Sequence, residues 1–199
     1  MGFVDRFTHA AKECDVSAAQ YARYLYLTRM SKPASDREVL KWVYDNRPRS
    51  IVEIGVGQAL RTQRMLELLT HHLPATEIRY TGIDLFEARD ACTPGMPLKE
   101  AFTVLRPLGI KAQWVPGAPY EALGRVANGL GNTDLLIVAA DQDAESLSHA
   151  WAFVPRMLHP QSVIFQEIET PRGLAFARVT AAEAERRARE HHRSKRRVA

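Results

Sequence analysis

A chain of 199 residues with 46% hydrophobic and 25% charged content is long enough to bury a core, and too evenly mixed for a disordered or fibrous protein. No apolar run approaches the roughly 20 residues of a membrane-spanning helix, and two distant cysteines, Cys14 and Cys92, offer neither a disulfide framework nor a zinc site. The net charge of +4 sits at one end: residues 183–199 hold seven Lys or Arg against three Glu, leaving 20 basic and 20 acidic residues in the rest.

The chain opens with "MGFVDRFTHAAKECD", where acids interrupt the apolar residues, so no signal peptide is expected. With so few cysteines, this fits a reducing cytoplasm. Residues 1–46 read as an N-terminal helical cap. "SAAQYARYLYLTRM" has an N-cap at Ser17 and an aromatic stripe of Tyr21, Tyr24 and Tyr26, suited to cover a pocket or to pack against a sheet. "SDREVLKWVYDN" follows, capped by Ser35 or Asp36, and "RPR" at 47–49 ends it.

From residue 47 to 182 strands and helices alternate. Strands are expected at 50–54, 78–84, 111–116, 134–140 and 162–168, with a sixth at 174–180. Helices are expected at 59–72, 97–109, 118–130 and 144–158, the last with Pro155 placed to kink it. Near-continuous apolar strands joined by helices predict an α/β fold, a doubly wound and mostly parallel sheet covered on both faces. Ligands of such sheets bind beyond the C-terminal strand ends, here near residues 54, 84, 116 and 140. After the fifth strand the C-terminal end is short. The tail at 183–199 reads as a solvated basic helix or as a contact for nucleic acid; it has no interleaved aromatic residues to stack on bases.

The densest chemical signal is "IVEIGVGQAL" at 51–60. Gly55 and Gly57 allow positive φ and close backbone approach, and the helix that follows presents free amides. No phosphate-loop string GxxxxGK[ST] occurs. In a dinucleotide pattern GxGxxG the third glycine falls on Leu60, too bulky for close helix–strand packing. In GxGxG it falls on Ala59. The start of a helix predicts αR geometry for Ala59, with its methyl narrowing the ligand pocket without closing it. Asp84, at the end of the second strand, has the position and chemistry to accept hydrogen bonds from the vicinal hydroxyls of a ribose.

Together these segments resemble the class I S-adenosylmethionine-dependent methyltransferases over about residues 48–168. "VEIGVGQALRT" is similar to their first motif and "YTGIDLFEA" to their second. "QWVPGAPYEAL" is similar to the segment after their third strand, and "DLLIVAADQDAESLSHAWAFVPRMLHPQSVIFQE" to their fourth strand, its helix and the fifth strand. The resemblance implies a Rossmann-like domain that binds S-adenosyl-L-methionine. Glu53, Gly55, Val56 and Gly57 would form the methionine side, Asp84 would hold the ribose, and Leu85, Gly117, Ala118 and Pro119 would lie by the adenine. Where small-molecule O-methyltransferases often read "IDGDH", this chain reads "VAADQ": Ala139 replaces the first acid and Gln142 the histidine. Asp141 remains as the candidate catalytic residue. Asp141 and Asp143 could also act as cation ligands or cap the helix at 144, and too few oxygen ligands are evident for a metal-dependent mechanism.

His149, His71 and His72 lie on or at the end of helices and are not taken as catalytic. His71 and His72 suit a helix C-terminus if cationic. The expected activity is methyl transfer to oxygen or nitrogen of a small molecule. The alternatives are a non-catalytic adenosyl-binding homologue and an NAD-dependent oxidoreductase, the latter disfavoured by Leu60. Acceptor specificity would come from the N-terminal helices, the loop "FEARDACTPGMP" or the second subunit of a homodimer.

Overall fold

Burial on alternate faces of each strand organises the molecule. A computed structural model describes residues 17–90 and 92–198; Cys14 and the rest of 1–16, and the side chains of the tail from 191 on, lie outside the described residues. Helices α1 (Ala18–Arg29) and α2 (Asp36–Asn46) precede β1 (Ser50–Ile54), α3 (Leu60–Thr70) and β2 (Arg79–Asp84). Then come α4 (Leu98–Val104), β3 (Ala112–Pro116), α5 (Pro119–Val126), β4 (Thr133–Val138) and α6 (Ala144–Ala150). The chain closes with β5 (Leu158–Thr170), β6 (Gly173–Val179) and α7 (Ala181–Val198). Among the described residues no helix is long and apolar enough to cross a membrane.

The six strands form one sheet in the order β3-β2-β1-β4-β5-β6. Five are parallel, and β6 runs antiparallel to β5 as the short C-terminal end of the sheet. Ile51, Tyr80, Trp114, Leu135, Ile137 and Phe165 face the layer of α1 to α4. Their neighbours Val52, Ile54, Ile83, Val115, Leu136, Val138 and Ile164 face α5, α6 and α7. This period of two is what a pleated strand buried on both sides requires. The N-terminal helices belong to the first layer: Leu27, Val39, Leu40 and Val43 are fully buried in its core.

Several element boundaries differ from the sequence pattern. The helix at 97–109 is α4 followed by a 3-10 turn at Arg106–Leu108, because Pro107 cannot donate and crowds the preceding turn. The helix at 118–130 ends at Val126 and continues as a 3-10 turn. The helix at 144–158 ends at Ala150, with Pro155 inside a 3-10 turn. Strand β5 is longer than 162–168, since its last residues pair with β6 as far as Thr170↔Gly173.

Parallel pairing aligns the strand ends. Ile54 lies beside Ile83 and Val138, and Asp84 beside Pro116. The sheet order reverses direction between β1 and β4, where crossover helices leave on opposite faces and a crevice opens.

Candidate functional site

At the end of β1 the chain turns through three left-handed residues, Gly55 (φ 86°), Gly57 (φ 60°) and Ala59 (φ 53°). The Gly55 amide donates to Ile83 O at 2.8 Å, which ties the turn to β2. A Cβ on Gly55 would lie 2.4 Å from Gln142 Nε2 and 2.6 Å from Ala139 Cβ, whereas one on Gly57 would meet nothing nearer than Pro94 O at 4.0 Å. Gly57 thus offers an open face to the crevice, while Gln142 covers Gly55. Ala59 corrects the sequence expectation twice. Its backbone is αL rather than αR, because it is the N-cap of α3 and completes the turn. Its methyl is fully buried in the hydrophobic core, so it does not narrow the pocket. Leu60 in turn is exposed and lines the crevice, so its bulk does not obstruct helix–strand packing.

Glu53 sits behind the turn. It shares a strand face with Ile51, which points it at α3. It is fully buried; Oε1 accepts from Arg61 Nε at 2.8 Å, and Oε2 accepts from Thr62 Oγ1 at 2.6 Å and Tyr80 OH at 2.7 Å. Burial and the neighbouring Glu53 carboxylate push the Tyr80 phenol far above its ordinary value. Arg61 also donates to Gly55 O at 3.2 Å and Asp36 Oδ1 at 3.4 Å, and lies 4.0 Å from Glu167 Oε2. Burial opposes its charge, but Glu53, Asp36 and Glu167 together raise its pKa and hold it protonated. Asp36 is itself pushed up by burial. It is therefore Asp36, Arg61 and Glu167 that line the crevice, with Glu53 supporting them.

Asp84 stands against the glycine turn with both oxygens occupied. Oδ2 accepts from Gly57 N at 2.8 Å and Arg89 Nη2 at 2.7 Å. Oδ1 accepts from Phe86 N at 3.0 Å and Arg89 Nε at 2.6 Å. Burial alone would raise its pKa; the Arg89 guanidinium and the two amides outweigh this and hold it below the usual carboxylate range. Arg89 continues to Asp141 Oδ2 at 2.7 Å. Gln142 Nε2 donates to Asp141 Oδ1 at 2.7 Å.

The crevice comprises two chambers. The larger, about 530 Å³, is bounded by Gly55, Val56, Gly57, Arg61, Asp36 and Glu167 among others. The smaller, about 280 Å³, is bounded by Leu85, Arg89, Asp90, Ala118 and Pro119. Asp141 borders both. Gly117 (φ 126°) is not a wall of either; its amide donates to Asp84 O at 2.9 Å and so anchors the loop before α5. A third cavity, about 520 Å³, lies between α6 and α7 against Trp151 and Arg187, away from the glycine turn and from Asp84.

The remaining candidates take structural places. Asp143 caps α6, accepting from Ser146 N at 2.7 Å. Burial pushes the His71 and His72 imidazoles down from their ordinary value, against a cationic role at the end of α3. His149 packs edge-on to Tyr120. Tyr24 stacks on Tyr44 of α2 at 3.9 Å, and none of Tyr21, Tyr24 and Tyr26 reaches a chamber. In the described part of α7, Arg186, Arg187 and Arg189 are paired with Glu183, Glu185 and Glu190. Among the described residues no group of three or more His, Cys, Asp or Glu is placed to hold a metal ion. Sequence reasoning missed Arg89, Arg61, Asp36 and Glu167. The only signal was a basic residue one short turn after Asp84, and nothing local marked it.

No family model and no curated protein matches the sequence. The fold does match solved structures. The apo form of a TDP-rhamnose 3'-O-methyltransferase of calicheamicin biosynthesis matches with a TM-score of 0.57 at 17% identity, over 86% of this chain and 83% of that one. A Plasmodium falciparum protein described as a protein-L-isoaspartate O-methyltransferase, solved with S-adenosyl-L-homocysteine, matches with a TM-score of 0.50 at 15% identity, over 76% and 66%. An O-methyltransferase family protein from Burkholderia thailandensis matches with a TM-score of 0.47 at 14% identity, over 76% of this chain; the chain spans 42% of that protein's length. At these identities the likeness is one of fold: a Rossmann-like sheet of the kind that methyltransferases use.

Proposed function

We propose that this chain binds S-adenosyl-L-methionine between the ends of β1 and β4 and methylates an oxygen or nitrogen of a small molecule. The observation that carries the reading is the junction of Asp84 and the glycine turn, 2.8 Å apart at the adjoining ends of β2 and β1, next to the switch point and beside an open chamber. The residues present fit an adenosyl group. Gly57 presents an open backbone face, Asp84 supplies a ribose acceptor, and Leu85, Ala118 and Pro119 form an apolar shelf for a base. What stands in the way is the movable ends of Gln142 and Arg89 and, at Gly55, the fixed Cβ of Ala139. The chamber volume falls within the roughly 300–1,000 Å³ usual for small-molecule sites. The likeness of fold to the Plasmodium protein that holds S-adenosyl-L-homocysteine supports the same reading.

A bound sulfonium supplies a methyl group that is already activated. The protein's share is to align the acceptor and, where the acceptor is protonated, to take its proton. Asp141 borders both chambers and is the carboxylate best placed for that proton. A second reading, a non-catalytic adenosyl-binding homologue, is favoured by the commitment of Asp141, the candidate base, to Arg89. A dinucleotide loses the argument from Leu60 against it, since Leu60 faces the crevice, and so belongs in the test. Calorimetric titration with S-adenosylmethionine, S-adenosylhomocysteine and NAD separates the classes. Binding of the two adenosyl ligands without NAD is expected; binding of NAD alone would replace this reading with a redox one.

A further inference from the structure

The Asp84 carboxylate has about four acceptor positions, and four donors fill them: Gly57 N, Phe86 N, Arg89 Nε and Arg89 Nη2. Two of the donors are backbone amides fixed by the turn and by the start of the loop after β2. A ribose diol can therefore reach Asp84 only by replacing Arg89. The same guanidinium bonds Asp141 through Nη1; Arg89 borders the smaller chamber, and Asp141 borders both. Its stem lies under the 92–97 segment, where a Cβ on Gly95 would meet Arg89 Cδ at 2.6 Å. The Arg89 side chain is 7% exposed and Nη1 also donates to Pro94 O at 3.5 Å, while its outer partner Asp141 is 44% exposed, so the guanidinium meets solvent on the Asp141 side.

We propose that Arg89 is a latch on the adenosyl site, holding Asp84 and Asp141 together until the vicinal hydroxyls of a ligand take the Asp84 carboxylate. This rests on the adenosyl reading of the crevice. Release of the guanidinium opens the smaller chamber, which Arg89 borders, and frees Asp141 from its counter-ion. Binding is then ordered: the adenosyl ligand enters first, and only afterwards is Asp141 available to an acceptor. The latch also lowers apparent affinity, because the competent state is a fraction of the molecules and the observed dissociation constant is the intrinsic one divided by that fraction.

The test is calorimetric titration of S-adenosylhomocysteine, and separately of adenosine, into the parent chain, Arg89→Ala and Asp141→Asn. Arg89→Ala removes the latch and is expected to bind S-adenosylhomocysteine about ten-fold tighter than the parent. Asp141→Asn removes one anchor at an exposed position, spares Asp84, and is expected to tighten binding about three-fold. Equal or weaker binding by folded Arg89→Ala overturns the latch and leaves the adenosyl reading intact. If Arg89→Ala does not fold, Asp141→Asn decides: tighter binding supports the latch and unchanged binding overturns it. If neither parent nor Arg89→Ala binds S-adenosylhomocysteine but Arg89→Ala binds adenosine and the parent does not, the latch stands and methyl transfer falls. If neither the parent nor Arg89→Ala binds either compound, both fall.

Discussion

Gly55 and Gly57 share left-handed backbone but not surroundings. For Gly57→Ala the added methyl meets open space, so only the conformational penalty of about 1–2 kcal/mol is expected. For Gly55→Ala the methyl also collides with Ala139 Cβ, which is fixed to the backbone of the strand end, and a loss of about 3 kcal/mol or more is expected. Urea denaturation distinguishes them; equal losses would show that the end of β4 does not press on the turn. At Ala59 the buried methyl faces the core and does not line the chamber, so Ala59→Gly should leave S-adenosylhomocysteine affinity within about two-fold of the parent by titration. A large gain in affinity would put the methyl in the pocket after all. The glycine spacing and Asp84 were legible because both are local patterns with a stated purpose. The αL state of Ala59 was not, since alanine prefers αR and only the geometry of the whole turn overrides it. Nor was the pairing of Arg89 with Asp141, which are 52 residues apart in the chain.

The elements β1 and α3 are joined by a buried polar knot rather than by apolar packing alone. Glu53→Ala would leave Arg61 short of its best partner and strip Thr62 and Tyr80 hydroxyls of their acceptor. Breaking such a buried pair costs about 3–5 kcal/mol, readable as a shift in urea midpoint; a loss below about 1 kcal/mol would show that Asp36 and Glu167 suffice for Arg61. Tyr80 gives an independent readout. Its phenol should not ionise in the folded protein under alkaline titration until the chain unfolds. The sequence pattern placed β1 to the residue because an apolar strand bounded by "RPR" and a glycine turn is locally defined. The knot was illegible because Asp36, Arg61 and Glu167 come from α2, α3 and β5 and meet only through the sheet order. The length of β5 was hidden for a similar reason: its last residues are strand because β6 pairs with them.

For the molecule as a whole, acid acts through carboxylates whose folded pKa is depressed. In Asp84, burial is outweighed by Arg89 and two amides; in Asp134, burial is outweighed by the Ser50 and Arg49 amides and by His159. A group depressed in the folded state stabilises the fold above its unfolded value, about 3.9, and that stabilisation is lost as pH falls through the folded value. The urea midpoint should therefore drop as pH is lowered below about 4. The gap between parent and Asp134→Asn should narrow over the same range; a gap independent of pH would remove Asp134 from the account. The fold class follows from strand–helix alternation, and the switch point follows from the sheet order. The central claim is that the crevice at that switch point is an adenosyl site. Amide hydrogen exchange with and without S-adenosylhomocysteine tests it most directly, because it reports where the ligand sits as well as whether it binds. The account predicts slowed exchange at residues 55–60, 84–90 and 117–119. Unchanged exchange there at saturating ligand, or protection confined to the cavity between α6 and α7, would contradict it.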